Sequence, residues 1–344
     1  MDFQSQSCFS YNQNAMKEGT KRLFSNQGVV QYIPLFQVDQ TDRAYATLPE
    51  WWRNPSLESS IEKVGILNPL HVQENGRGFR IISGYQRAAA AYRLKIDPIP
   101  CLLVDQAEPL TLFLQNLWEN SGTRELHELE KARAVTLLHR AFGVAESELV
   151  DAVLPALGIP GSRYHLDRLM EIDRLPEQTK KAMVDAGLAA DLALNIAKWG
   201  TREQEAALEL IRHLKPGRNR QKILLDLLDD LKVLLQTDIS RLCGEILSVF
   251  HSEDGSQAQQ TDRIIEHLRR KKYPRLSQQE DRYRELRRQL SIPPSIQMHP
   301  PSFFEGTSLS FSFNASSPDE LKQITARLRE LTGKRALNEI FRLL

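Results

Sequence analysis

Apolar positions follow two rhythms along the chain. Val30, Tyr32, Ile33 and Leu35 open a strand, and Leu57, Ile61 and Val64 then recur at helical spacing within Ser56 to Val64. Gly65 closes that helix. Leu70 and Val72 alternate with polar neighbours as a short strand, Asn75-Gly76 offers the positive-φ residues of a tight hairpin, and Phe79 to Ile82 returns. Ser83-Gly84 opens a helix from Tyr85 to Leu94, and Ile99 to Val104 forms a last strand after the break at Pro98. These elements predict a compact α+β domain over 29–108.

Beyond it the period becomes helical. Stretches 110–120, 125–142, 146–157, 161–171, 176–186 and 190–198 each carry apolar residues at i, i+3, i+4 spacing between Gly, Pro or polar breaks, which predicts an all-helical middle domain over 109–200. Two or three more helices fill 201–250, and a Ser-, Gln- and Gly-containing linker occupies 251–262. In 263–344 a basic helix precedes a proline-interrupted segment. Leu309, Phe311 and Phe313 then alternate with serines as a half-buried strand, and Ser317-Pro318-Asp319-Glu320 carries an N-cap, a first-turn proline and a Glu three residues after the cap. That signature predicts a helix over 318–332. Residues 1–28 are polar and aperiodic, and read as a flexible arm.

Composition adds little to this picture. A length of 344 residues with 41% hydrophobic and 26% charged residues fits a multidomain globular protein. No stretch has the eighteen or so apolar residues of a membrane helix and Met1 to Gln13 lacks a secretory pattern, so the expectation is a cytoplasmic protein with no membrane partner. Cys8, Cys101 and Cys243 stand far apart with no metal-ligand spacing. Net charge is only +1, yet ten Lys or Arg face four acids between Arg263 and Arg288. That run reads either as a solvated helix face or as a phosphate contact.

Two short stretches carry candidate chemistry. Ser83-Gly84-Tyr85-Gln86-Arg87 joins a strand to a helix, so unbonded N–H groups and the positive dipole end face whatever lies beyond Gly84, with Arg87 one turn in as a bidentate donor. The bland alternative is a turn glycine before a surface arginine. Glu119-Asn120 places a carboxylate beside an amide, a pair able to hold Mg²⁺ while phosphates supply further ligands; otherwise it is a helix C-cap with a solvated acid.

Taken in order, these stretches resemble the boxes of the ParB partition-protein family. Ser60-Ile61 with Gly65-Ile66-Leu67-Asn68-Pro69-Leu70 is similar to its first box. Ile81 to Ala88 is similar to the second, and Glu119-Asn120 with Arg124, Leu126, Glu130 and Ala132 to the third. The resemblance implies a ParB/sulfiredoxin-like α+β N-terminal domain, then an all-helical helix-turn-helix domain; a small C-terminal strand-helix module completes the expected fold. It implies a CTP site with Mg²⁺ formed by Gly84, Tyr85, Gln86, Arg87, Glu119, Asn120 and Arg124, with Glu119 and Asn120 toward the metal, and slow CTP hydrolysis. The family's second box usually reads Gly-Glu-Arg-Arg, whereas Tyr85 and Gln86 stand here, so turnover is left open. Arg93 and Lys95 are the nearby cations available to compensate. Sulfiredoxin-like phosphotransferases use a cysteine in the equivalent motif, and none stands at 84–87.

The resemblance continues through a helix over 146–157, the turn Gly158-Ile159-Pro160 and a second helix, a helix-turn-helix whose candidate DNA contacts are Ser162, Arg163, Tyr164, His165 and Arg168. Asp167, Glu171 and Asp173 dilute its charge, and Pro155 is expected to interrupt its first helix. The function implied is DNA binding in partition of a chromosome, plasmid or mobile element, on the nucleoid, as a homodimer and with a ParA-type ATPase. A strand edge near 309–313 is a candidate dimer contact. A nuclease or phosphotransferase on the same scaffold, and a transcriptional regulator without nucleotide response, are the alternatives.

Overall fold

The computed structural model describes residues 29–76, 78–104, 107–250 and 256–344. The proposed arm, Cys8 and the first half of the 251–262 linker lie outside them. Contacts divide the chain into two compact units after Pro176.

In the first unit a five-stranded sheet has the order β1-β5-β3-β4-β2, with β1 Val30–Ile33, β2 Val38–Asp39, β3 Leu70–Glu74, β4 Phe79–Ser83 and β5 Ile99–Leu103. β3 and β4 form the expected antiparallel hairpin, and β3 also pairs in parallel with β5. Two-residue β2 pairs in parallel with β4, a strand too short to leave a periodic signature. Ile33, Val38, Leu70, Val72, Ile81, Ile99 and Cys101 form the buried face, with Ala88 and Ala91 packed on it. Burial raises the Cys101 thiol to about 11, so it stays protonated and inert.

Helix α1 (Pro55–Val64) starts on the Asn54 side chain, which accepts the Leu57 N–H at 3.1 Å. Helix α2 (Tyr85–Leu94) starts at Gly84, whose φ of 106° is open to glycine and costly for other residues. Helix α3 (Pro109–Thr123) runs beyond the predicted end at 120, so Glu119 and Asn120 lie inside its last turns and are not a C-cap. Helix α4 (Glu128–Arg140) begins three residues later than the period suggests. The reason is a cap: His127 Nδ1 accepts the Leu129 N–H at 3.2 Å while Glu130 accepts the His127 N–H at 3.0 Å, and the backbone before them is extended.

The helix-turn-helix is formed as expected, with one correction. Helix α5 runs over 146–156 and continues through Pro155, because Leu149–Val153 widens into a π-helical turn that accommodates a residue lacking an N–H. The turn uses Gly158 at φ 72° and Gly161, where a Cβ would stand 2.5 Å from the Val150 carbonyl oxygen. Helix α6 (Arg163–Asp173) follows and packs against α4.

The second unit is helical from α7 (Glu177–Asp185) and α8 (Ala190–Ile196) through α9 (Thr201–Leu214), α10 (Arg218–Leu234) and α11 (Ile239–Phe250). The basic stretch is two helices, α12 (Gln257–Lys272) and α13 (Pro274–Leu290), broken where Pro274 starts a new first turn. At least six of its ten cations, including Arg269, Arg270, Lys271 and Lys272, are paired with carboxylates of the same unit. The ion-paired face is therefore the better description of this run.

The predicted strand near 309–313 is β7 (Ser310–Phe313), and it pairs antiparallel with β6 (Ile296–His299), which the proline-rich surroundings concealed. The expectation of a lone edge seeking a partner is corrected on that side. α14 (Pro318–Thr332) carries its Ser317 cap as read, and α15 (Arg335–Phe341) ends the chain. Tyr283, Leu286 and Leu290 of α13 share a core with Met298, Phe304, Leu331, Leu337 and Ile340. No described helix is long and apolar enough to cross a membrane.

Candidate functional site

A cleft of about 780 Å³ opens beside the N-terminus of α2. It is lined by Gly84, Tyr85, Gln86, Arg87, Glu119, Asn120 and Arg124, every residue that the sequence nominated for nucleotide. One strand end, two helices and a loop bring them together. β4 ends at Ser83 and delivers Gly84, α2 contributes its first turn, α3 its last turns, and the 124–127 loop the far wall.

The first intrahelical bond of α2 runs from the Ala88 N–H to the Gly84 carbonyl at 3.0 Å, so the N–H groups of Tyr85, Gln86 and Arg87 point out of the helix end. A Cβ at Gly84 would stand 3.0 Å from Leu70 and 3.2 Å from the Arg87 guanidinium, so the cradle needs glycine on steric as well as torsional grounds. Arg87 is held from behind: its Nη1 donates to the Asn68 and Pro69 carbonyls, each at 2.7 Å, and its Nη2 stands 3.8 Å from Glu119. Burial draws the Arg87 pKa below its ordinary value, with Glu119 opposing, yet an arginine stays charged.

Glu119 is the hinge of this network. Its Oε2 lies 3.3 Å from His71 Nδ1 but off the hydrogen-bonding direction, so both buried atoms lack a hydrogen-bond partner. Burial lowers the His71 pKa, partly opposed by Glu119, and keeps the imidazole neutral at pH 7. Asn120 donates from Nδ2 to the Asn116 backbone and side-chain oxygens, both at 2.8 Å, which leaves Oδ1 as its acceptor. An orphaned carboxylate oxygen and an amide oxygen suit a hard cation that brings its remaining ligands with it. Among the described residues no three His, Cys, Asp or Glu side chains are grouped to hold a metal unaided.

Arg124 and Glu130 form a bidentate pair at 2.7 and 2.6 Å, with Glu130 almost wholly buried. This fork closes the loop between α3 and α4. Arg93 pairs with Glu58, and Lys95 caps the opposite end of α2, so neither supplies the cation missing at Gln86. Gln86 instead donates to the Trp52 carbonyl at 3.3 Å. Tyr85 is mostly buried; its hydroxyl donates to the Ile81 carbonyl at 2.8 Å, and burial raises its pKa strongly.

Sequence reasoning missed Trp52, Asn116, His71 and His127. A Trp51-Trp52 pair in a polar loop was a visible signal, as was a Glu three residues after His127. His71 and Asn116 gave none, since their roles depend on which elements the fold apposes.

On α6, Ser162 caps the helix, its hydroxyl 2.7 Å from His165 Nδ1. Tyr164 is exposed and meets the His165 ring edge-on at 5.2 Å. Arg163 is exposed and bonded to Asp167 at 2.9 Å and to Glu146, while Arg168 reaches Glu128 at 3.2 Å. All five candidates lie in the first turns of α6, each cation already beside an acid.

The architecture is an α+β cleft domain followed by a helix-turn-helix, with a helical second unit that ends in a small strand-helix module. Residues 19–121 match the ParB N-terminal domain family, which supports the resemblance read from the sequence boxes. It is 25% identical over 221 residues to the probable plasmid-partitioning protein ParB of Xylella fastidiosa, covering 63% of this chain and 53% of that protein. It is 27% identical over 133 residues to the stage 0 sporulation protein J of Bacillus subtilis, covering 39% of this chain and 45% of that protein. The chain thus spans about half the length of the curated relatives it matches. The C-terminally truncated ParB of Caulobacter crescentus, complexed to the centromeric parS site, aligns with 57% of this chain and 98% of its own, at 18% identity and a TM-score of 0.31.

Proposed function

We propose that this protein binds DNA through α6 in the partition or maintenance of a replicon, and that its N-terminal cleft takes CTP with Mg²⁺. The carrying observation is that all seven residues nominated from the second and third boxes line one cleft, although Arg87 and Glu119 lie 32 positions apart. The phosphates would meet the α2 N-terminus and Arg87, and Mg²⁺ would be shared between them and the oxygens of Glu119 and Asn120. Hydrolysis is slow or absent, since Gln86 provides no cation for charge developing in the transition state. A second copy of the chain and a ParA-type ATPase complete this reading, which places the protein on the nucleoid. The names of the curated relatives as partitioning proteins support the partition role.

The engagement of Arg87 Nη1 by two carbonyls, with Glu119 facing its Nη2, favours a second reading, a transcriptional regulator whose cleft charge is partly neutralised from within. Calorimetry with CTP, UTP, ATP and GTP, on the wild type and on Arg87→Ala with specific DNA present, separates them. Saturable CTP binding that Arg87→Ala removes supports the first reading. No binding of any nucleotide at millimolar concentration supports the second. DNA crosslinked to the protein in its host and then sequenced gives the site in either case.

A further inference from the structure

The lining of the cleft also includes aromatic side chains. Trp52 lines it half-buried, with its indole 4.9 Å from the His127 imidazole at 73° and Trp51 against it at 6.2 Å. Leu48 and Leu57 also line the cleft. Rings arranged like this offer a platform for a flat heterocycle, and base–aromatic stacking is a general and sequence-tolerant source of affinity for nucleotides.

Trp52 is held in place by the same helix turn that opens the phosphate end. Gln86 Nε2 donates to the Trp52 carbonyl, and the Trp52 N–H donates to the Pro49 carbonyl at 3.1 Å. The loop that carries it is pinned again at Tyr45. Its N–H faces the Tyr85 hydroxyl at 3.4 Å, and its carbonyl accepts from buried Asn116 Nδ2 at 2.7 Å. Arg43 lies over the Tyr85 ring at 5.1 Å. Tyr85 and Gln86 therefore anchor an aromatic wall, and the phosphate cradle and this wall are fixed in one frame.

Building on the nucleotide reading above, we infer that Trp52, with His127 beside it, forms the base-stacking wall of the cleft, and that Gln86 is the positioning residue that holds Trp52 there. The site therefore recognises a nucleoside triphosphate at both ends, and a bare polyphosphate engages only one.

The test compares CTP and inorganic tripolyphosphate, each with Mg²⁺, by calorimetry on the full chain. Wild type, Trp52→Ala, Trp52→Phe and Gln86→Ala are used, with thermal melts to confirm folding. Trp52→Ala should weaken CTP by about tenfold or more and leave tripolyphosphate within about twofold, because only the stacking is lost. Trp52→Phe should retain most CTP affinity, and Gln86→Ala should shift CTP in the same direction as Trp52→Ala by a smaller factor. CTP should quench tryptophan fluorescence in the wild type and fail to do so in Trp52→Phe. Equal losses for both ligands would mean that Trp52 only supports the fold, and unchanged CTP affinity in Trp52→Ala would mean that it does not touch the base; either overturns the inference while the nucleotide reading stands. A wild type that binds neither ligand removes the nucleotide reading itself.

Discussion

The cleft and helix α6 lie in one unit, each carries an arginine near acids, and they hold it in opposite ways. Arg87 is mostly buried and gripped by two carbonyls, so its guanidinium is aimed before any ligand arrives. Arg163 is exposed and shared between Glu146 and Asp167. A pre-aimed cation in a partly dry site yields a specific, salt-resistant contact, whereas an exposed pair is worth little in itself and exchanges one anion for another at small cost. The first arrangement suits a small ligand held in one pose. The second suits a surface that meets a polyanion, releases it, and responds to salt.

The largest effect should come from the ion pair that frames the cleft. Glu130→Ala removes a buried carboxylate that accepts from Arg124 twice and from the His127 N–H, and should cost about 3 kcal/mol of stability in a denaturant titration. A change under about 1 kcal/mol would show that the α3–α4 loop does not depend on this fork. Next, Arg87→Ala should weaken CTP by about a hundredfold, and this loss should persist at high salt if the site is dry. A loss that fades with salt would erase the contrast with α6.

Arg163→Ala and Arg168→Ala should each lower affinity for specific DNA by about 1–3 kcal/mol if they reach base edges. If they touch only phosphate, affinity should fall uniformly across sequences and the salt slope should flatten instead. Unchanged binding of both variants in a mobility-shift titration would remove α6 as the contact helix. Deleting 291–344 is a poor test of dimer formation, since it also strips Met298, Phe304, Leu331, Leu337 and Ile340 from the core that holds α13. Substituting exposed Phe313 on β7 and following the oligomeric state by light scattering is cleaner.

The smallest effect concerns pH. His127 must be unprotonated at Nδ1 to accept the Leu129 N–H, and burial lowers its pKa below the ordinary 6.5. A depressed histidine pKa means that the unfolded chain binds the proton first. The stabilisation is therefore complete above about pH 6.5 and is lost as pH falls through the folded value, as for His71. His127→Asn keeps a capping acceptor and cannot titrate, so its melting temperature should fall less between pH 7.5 and 5.5, on the order of the 1 kcal/mol of a helix cap. An unchanged slope would assign the pH response elsewhere.

Much of this was legible in the sequence where a signal was local. The Gly65 and Gly84 boundaries and the Ser317 cap depend on a few adjacent residues, and each emerged where the pattern placed it; the hairpin turns with Gly76 at φ 78°, but Asn75 does not share the positive φ expected of it. The failures have two causes: β2 and β6 are strands only because a distant strand pairs with them, whereas α4 starts late at its His127–Glu130 cap and α5 absorbs Pro155 by widening.

The sequence alone thus determined most of the order of elements, seven of the residues that line the cleft and the five candidates at the start of α6, since torsional preference, periodicity and motif order are properties of neighbours along the chain. Only the tertiary structure decided what those residues meet: that Arg87 is braced by Asn68 and Pro69, that Gln86 bonds the Trp52 carbonyl where a charge was expected, and that Lys271, Lys272 and Arg282 of the basic run pair with acids from other helices. Hydrogen bonds and ion pairs act over a few ångströms in space, and the chain brings such partners together across tens of residues.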